Sequence, residues 1–322
     1  HAQTTNCQTI LDLILIVDDS GSVAVSDFER AKSAMANLTE RLNIGPHRVH
    51  ISIIKYSTTV EDSYIFSKTG TNQLKGAIVN VIKNLKYTGG STATGDAISR
   101  ARQICDRECR EKTEAIPRAV VLFTDGNSNT GKPVGQESAL LREQTKATVF
   151  AVGIGSGINE LELQLIATKP YETYVLRLSN YLQLTQVINE VTIIACKVPA
   201  FIEVGVVYKS EVEQNTYRFY QAEIKGLRNG MGGFMETAVN VTAGDVKVYT
   251  SLTEPNPTSD NSRQAIAEGK RQQQDGKSTV DIYIEYIPPG STKFYTSFKG
   301  LNNQNKYTFK SKITDLNGGV IG

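Results

Sequence analysis

The sequence predicts an α/β domain over residues 8–196, with a doubly wound, mostly parallel sheet and one antiparallel edge strand, followed by a smaller all-β sandwich over residues 200–322. Two observations predict this. Up to Cys196, apolar runs alternate with segments of helical spacing, and helices between strands cover both faces of a parallel sheet. After Pro199 the hydrophobic period falls to two, with turn residues between short runs, as in an antiparallel sandwich. The 322 residues are enough for two separate cores.

The first strand is Leu11–Val17 (LDLILIV), whose nearly unbroken apolar run fits burial on both faces. Ser26-Asp27-Phe28-Glu29 has the form of a capping box. After it, Phe28, Ala31, Met35, Leu38 and Leu42 repeat at helical spacing. Val49–Tyr56 is a second strand and Val60–Phe66 a third. The link Ser57–Thr59 permits a hairpin but no crossover, so the third strand is expected at an antiparallel edge. Leu74, Ile78, Val81, Ile82 and Leu85 mark the next helix, and Ala97, Ala101, Ile104 and Cys105 the one after. Ala119–Phe123 and Thr148–Val152 are buried strands. Leu161 and Leu165 mark a short helix, Tyr174–Leu176 a short strand, and Leu184, Val187, Ile188 and Val191 a closing helix. Pro199 cannot extend a helix and biases Val198 toward extended backbone, so the link to the second half leaves little slack. There, residues 217–224, 246–249, 280–287, 293–298 and 307–313 read as strands, and the polar, Gln-rich stretch Pro255–Lys277 as an exposed loop.

Thirty-five basic residues against 33 acidic ones give a net charge of +2, which points to neither a nucleic acid nor an acidic membrane surface as partner. No run approaches the ~18 apolar residues of a membrane span. The chain opens at His1 without Met and reads as a mature or trimmed chain. The histidines His1, His47 and His50 lie near no Ser or Cys nucleophile turn, and no catalytic function is expected. Gly153-Ile154-Gly155-Ser156-Gly157 imitates a dinucleotide loop but has Ile158 where the third glycine belongs.

The four cysteines, Cys7, Cys105, Cys109 and Cys196, allow three pairings or four reduced thiols. The preferred pairs are Cys7–Cys196, which brackets the α/β block as a clasp, and Cys105–Cys109, an i,i+4 pair on a predicted helix. With the sequons at Asn37 and Asn240, these favour an oxidising, extracellular location and a secreted protein.

The chemistry concentrates at strand ends. Asp18-Asp19-Ser20-Gly21-Ser22 follows the first strand and offers a carboxylate and two hydroxyls at alternate positions. In an open α/β sheet, ligands bind at the carboxyl ends of the strands. Gly21 lets the turn fold tightly. A second oxygen-rich turn is Gly89-Gly90-Ser91-Thr92-Ala93-Thr94-Gly95, and a third is Thr124-Asp125-Gly126. Three segments can then converge on one cation. Hard oxygen donors suit Mg²⁺, Mn²⁺ or Ca²⁺ and suit zinc or copper poorly.

Asp18-x-Ser20-x-Ser22, Thr92 and Asp125, in that order and at those intervals, resemble the metal-ion-dependent adhesion site of von Willebrand factor type A domains. The resemblance covers about residues 8–196 and includes Phe123-Thr124-Asp125-Gly126 and Val152-Gly153-Ile154-Gly155. It implies that Asp18, Ser20 and Ser22 are ligands of a divalent cation, Mg²⁺ foremost, that Thr92 approaches it directly or through water, and that Asp125 acts often through water. Thr94 is an alternative to Thr92; Asn127 stands where the family commonly has an acidic residue; Asp19 is expected to face solvent. The resemblance further implies a protein partner that supplies an Asp or Glu to the metal, in adhesion or self-assembly. The expected function is a non-enzymatic adhesion or matrix protein; the alternative is a structural subunit of an extracellular filament in which the metal mainly stabilises. In the second half, Ala243–Tyr249 followed by Pro255-x-Pro257-Thr258 weakly resembles a pre-peptidase C-terminal β-sandwich.

Overall fold

The structure is a computed structural model and describes residues 10–178, 181–227, 230–272 and 279–321. It divides into two compact units, one of residues up to Arg110 with Pro117–Val198, the other of Glu111–Ile116 with the residues from Pro199 on.

In the first unit, strands and helices alternate: β1 (Leu11–Asp18), α1 (Val25–Arg41), β2 (Val49–Tyr56), β3 (Val60–Tyr64), α2 (Lys75–Lys83), α3 (Thr94–Glu108), β4 (Arg118–Thr124), α4 (Val134–Thr145), β5 (Thr148–Ile154), α5 (Glu160–Ile166), α6 (Tyr171–Tyr174), β6 (Val175–Leu178) and α7 (Tyr181–Ala195). The sheet order is β3-β2-β1-β4-β5-β6. All pairings are parallel except β2–β3, the antiparallel edge hairpin. The order reverses between β1 and β4, which makes their carboxyl ends the switch point at which such sheets bind ligands.

Every residue of β1 and β2 is buried. Alternation along β1 sends Leu11, Leu13, Leu15 and Val17 into a core with α1, α2 and α7, and Ile14 and Ile16 into a core with α3, α4 and α5. Burial of each such side chain stabilises by about 1.5–3 kcal/mol, which is why the strand carries no polar alternation. Asp12 is the exception. Its buried carboxylate accepts from the backbone N–H of Arg110 at 2.8 Å and from Arg110 Nε at 2.8 Å, so the charge is paired.

Two local expectations change, and one expected cysteine pair forms. Helix α1 begins at Val25 with Ala24 as its cap, and no side chain caps it. The backbone N–H groups of Asp27 and Phe28 both donate to the Ala24 carbonyl, so Ser26 lies inside the first turn and the capping box does not form. On α5 the buried face is Leu163 and Ile166, while Leu161 and Leu165 are exposed. Cys105 and Cys109 are joined by a disulfide at the end of α3, with Cα atoms 4.6 Å apart. Cys7, the expected partner of Cys196, lies outside the described residues.

The second unit contains β7 (Ala200–Phe201), β8 (Val207–Glu213), β9 (Tyr217–Glu223), β10 (Gly233–Ala243), β11 (Val246–Ser251), β12 (Ala267–Gln272), β13 (Thr279–Ile287), β14 (Lys293–Gly300), β15 (Gln304–Asp315) and β16 (Val320–Ile321). One sheet runs β12-β13-β10-β15-β16 with β8 also on β15, the other β11-β14-β9-β7. The pairings are antiparallel except β7–β9. The core between the sheets is aromatic: Phe298 stacks on Tyr307 with centroids 4.5 Å apart, and Tyr220 lies 4.8 Å from Phe309. The Tyr220 and Tyr307 hydroxyls pair at 3.0 Å, so these buried phenols are satisfied.

Two expectations fail in this unit. The stretch Pro255–Lys277 is not all loop, since Ala267–Gln272 adds to β13 as β12. The boundary near Pro199 is not the sole crossing: Glu111–Ile116 also belongs to this unit, and Ala115 is buried in its core with Ala200 and Ile202.

Candidate metal centre

Asp18 is the last residue of β1 and is fully buried. Its Oδ1 accepts from the Ser20 backbone N–H at 2.9 Å, and its Oδ2 accepts from Thr124 Oγ1 at 2.7 Å and Tyr56 Oη at 3.3 Å. These donors fix the carboxyl group in orientation. Burial pushes its pKa up to about 6, with the charge of Asp125 adding to the rise and the bonds from Ser20 and Thr124 opposing it. A carboxyl held in this way beside a second carboxylate favours a cation as its counter-charge.

The turn after Asp18 is drawn against the 88–92 segment. Gly21 N–H donates to the Gly90 carbonyl at 2.9 Å, and a Cβ at Gly21 would meet that oxygen at 3.3 Å. Gly21 therefore serves close backbone approach. Gly90 has φ +105°, and a Cβ there would lie 2.7 Å from Thr58 Oγ1, so this turn needs glycine for both conformation and space. Ser20 and Ser22 hydroxyls lie 3.2 Å apart, the first buried and the second exposed.

Thr92 is held by its backbone. Its N–H donates to Asn129 Oδ1 at 2.9 Å, and its carbonyl accepts from Asn129 N–H at 3.1 Å and Ser128 Oγ at 3.1 Å. Its side-chain hydroxyl is buried with no hydrogen-bond partner among the described residues. A buried hydroxyl left unpaired costs about 1–3 kcal/mol, and such a group calls for a partner. Thr94 is different: its Oγ1 pairs with Tyr56 Oη at 3.0 Å, at the start of α3. Thr94 is thus engaged beneath the site, and Thr92 offers the free donor.

Asp125 follows β4, is buried, and accepts from the Asn127 backbone N–H at 3.0 Å through Oδ1. Asn127 also reaches the Gly157 carbonyl with its side-chain amide, at 2.9 Å. In place of an acidic residue it therefore ties the Asp125 loop to the turn after β5.

Sequence reasoning missed Glu162 on α5. Its Oε1 accepts from the Ser128 backbone N–H at 3.1 Å, and burial, with the charges of Asp125 and Asp18, pushes its pKa up to about 7. Glu162 thus feels the charge of both site carboxylates, while its own hydrogen bond goes to Ser128. Asp19 is the second correction: it is fully buried and paired with Lys55 Nζ at 3.0 Å, not solvent-facing.

The donor set fits a divalent cation by its chemistry: two carboxyls, hydroxyls and one buried hydroxyl without a partner, all oxygen. Among the described residues, no group of three or more His, Cys, Asp or Glu forms a denser alternative site. Of the sequons, Asn37 is exposed on α1 and Asn240 is half-buried in β10. No helix among the described residues is long and apolar enough to cross a membrane.

Human collagen alpha-1(XXI) chain is 30% identical over 185 residues, which is 57% of this chain and 18% of that protein. Chicken (Gallus gallus) matrilin-1 is 28% identical over 192 residues, 58% of this chain and 37% of that protein. The chain thus spans less than a fifth of the collagen relative's length. The solved structure of proximal thread matrix protein 1 from the mussel byssus superposes with a TM-score of 0.52 at 25% identity, over 59% of this chain and 47% of that one. A second structure of that mussel protein, at 25% identity and a TM-score of 0.51 over 65% of this chain and 50% of that one, is described as having a zinc-occupied adhesion-site motif. There an ion softer than the oxygen donors favour occupies the motif. Residues 12–190, more than half of the chain, match the von Willebrand factor type A domain, and the chain belongs to that family.

Proposed function

We propose that the protein is an extracellular, non-enzymatic adhesion or matrix module that binds a protein partner through a divalent cation held by Asp18, Ser20, Ser22, Thr92 and Asp125. The observation that carries this reading is the buried, unpartnered Thr92 hydroxyl on the segment drawn against the Asp18 turn. When bound, the cation supplies a positive centre for an Asp or Glu carboxylate of the partner. The chain's own part is orientation. Ser20 N–H, Thr124 and Tyr56 aim Asp18, Asn127 N–H aims Asp125, and Asn129 holds the Thr92 backbone. Oxygen ligation with only two carboxyls in the set favours Mg²⁺, with Mn²⁺ or Ca²⁺ as substitutes.

A second reading is favoured by the likeness to a thread matrix protein. In it the chain is a structural subunit of an extracellular filament that self-assembles, and the cation mainly stabilises the fold. Pull-down from native extracellular material, with Mg²⁺ or with EDTA, separates the two. The adhesion reading predicts that a specific partner is retained in Mg²⁺ and lost in EDTA while the protein stays folded. Retention of every partner in EDTA would favour the filament subunit.

A further inference from the structure

We infer that Asp19 is a positioning residue of the metal centre: braced by Lys55, it fixes the turn that carries Thr92. The inference rests on the cation-binding reading above and adds a residue to it that is not itself a ligand.

Asp19 lies between the ligand candidates Asp18 and Ser20, yet its side chain is fully buried. One oxygen, Oδ2, accepts three hydrogen bonds: from Lys55 Nζ at 3.0 Å, from the Thr88 backbone N–H at 2.9 Å and from Thr88 Oγ1 at 2.6 Å. Its backbone joins the same neighbours. Asp19 N–H donates to the Tyr56 carbonyl at 2.9 Å, and its carbonyl accepts from Gly89 N–H at 3.0 Å. Asp19 therefore grips both the end of β2 and the start of the 88–92 segment. The far end of that segment is held separately: Ser91 N–H donates to Thr58 Oγ1 at 2.9 Å, and Thr92 is clamped by Asn129. Between these fixed ends Gly89 and Gly90 take the positive φ values, 71° and 105°, that the turn requires.

Lys55 is itself buried, in β2 beside Val17 of β1, and its second contact is Glu61 Oε2 at 3.3 Å. A buried ion pair is a poor way to gain stability, because desolvation offsets the attraction and a packed apolar pair of similar volume serves as well. The directional hold comes from Thr88, whose N–H and hydroxyl meet Asp19 Oδ2 at 2.9 and 2.6 Å; the pair adds a tie from β2 to the same oxygen, at 3.0 Å. It also cancels the charge of Asp19 locally, so the carboxylates left to face a cation from these two strand ends are Asp18 and Asp125. The remaining oxygen, Asp19 Oδ1, is buried without a hydrogen-bond partner among the described residues. The carboxylate is thus committed through one oxygen to Lys55 and Thr88.

The test is a double-mutant cycle in the full chain, read by calorimetric titration with Mn²⁺. Asp19→Asn retains the volume but only one acceptor oxygen and no charge. It is expected to weaken Mn²⁺ binding roughly 10-fold, at the lower end of the ~10–100-fold range for outer-shell partners of a metal site. Thr92→Ala removes the group through which Asp19 acts, so the double variant should bind no more weakly than Thr92→Ala alone. A role in folding alone lowers the melting temperature and leaves the Mn²⁺ affinity of the folded protein unchanged. Thr88→Val, at an exposed position, removes the 2.6 Å bond and keeps the ion pair. It should weaken binding in the same direction, and it carries the test if Asp19→Asn does not fold. Unchanged affinity in the folded variants, or full additivity of Asp19→Asn with Thr92→Ala, overturns the inference. Asp18→Ala separates the two levels. If it abolishes Mn²⁺ binding while Asp19→Asn and Thr88→Val do not alter it, only the positioning role fails. If Asp18→Ala binds like wild type, the metal-site reading fails and takes this inference with it.

Discussion

Replacing Asp18 by Ala is expected to abolish divalent-cation binding and, with it, cation-dependent partner binding, while the fold survives. The affinity loss should exceed the ~10–100-fold that loss of an outer-shell partner costs, because Asp18 is a primary, charged donor. Ser22→Ala should cost less, since it removes a neutral donor at the exposed end of the loop. Calorimetric titration with Mg²⁺ and Mn²⁺ reads both variants. Asp18→Asn adds a signature in pH. In the cation-free protein the Asp18 carboxyl is pushed up to about 6 from an ordinary 3.8, chiefly by burial. Between those values the folded protein holds a proton that the unfolded chain has released. Stability of the cation-free protein therefore contains a component that falls as pH rises from about 4 to about 6. Asp18→Asn should lose that component. Because a cation displaces the same proton, its affinity should weaken as pH drops below about 6 in the wild type.

Asp12→Ala is expected to produce the largest loss of stability. Asp12 lies at the opposite end of β1 from Asp18, and its carboxylate, the Arg110 side chain and the His50 ring are all buried. Arg110 binds it through Nε and the backbone N–H, both at 2.8 Å, and Arg110 Nη2 is also 2.8 Å from Oδ1. His50 Nδ1 stands 3.7 Å away, and burial, then the charge of Arg110, holds the imidazole pKa below its usual value. Its neutral form adds no second charge to the pair. Removing Asp12 strands a buried guanidinium, which costs about 3–5 kcal/mol. In a unit of this size that lowers the melting temperature by on the order of 10 °C. Asp12→Asn keeps an acceptor and should cost less. Scanning calorimetry decides it, and a change of under about 1 kcal/mol for Asp12→Ala would mean that the ion pair behaves like an exposed one.

The layout of the first unit was legible because its strands are buried on both faces and so read as apolar runs that end where the polar turns begin. Asp18, Ser20, Ser22 and Asp125 could be named because they abut the ends of β1 and β4. The Gly89-Gly90 turn, as in the resembled family, favours Thr92 over Thr94; what spacing could not show is that Tyr56 takes Thr94 into its own hydrogen bonds. Asp19 was misread for a related reason. A carboxylate in a loop is usually solvated, and its partner Lys55 lies 36 positions away in the chain. Glu162 carries no local signal at all, since only the packing of α5 brings it to Ser128. In the second unit, β10 escaped notice because two of its inward positions are Gly233 and Thr237. Thr237 is tolerated there by its bond to the Ser311 hydroxyl, at 2.9 Å, which an apolar alternation rule cannot anticipate. Glu111–Ile116 is a polar stretch with no period, and nothing in it announces that Ala115 is buried in the second core.

The central claim is that one divalent cation sits among Asp18, Ser20, Ser22, Thr92 and Asp125. Anomalous diffraction from crystals grown with Mn²⁺ tests it most directly. The account predicts one strong peak within coordinating reach of Asp18, Ser20, Ser22 and the Thr92 hydroxyl, with Asp125 bound directly or through water. No peak at that position, or a peak held by other residues while Thr92 finds a hydrogen-bond partner within the protein, would contradict it.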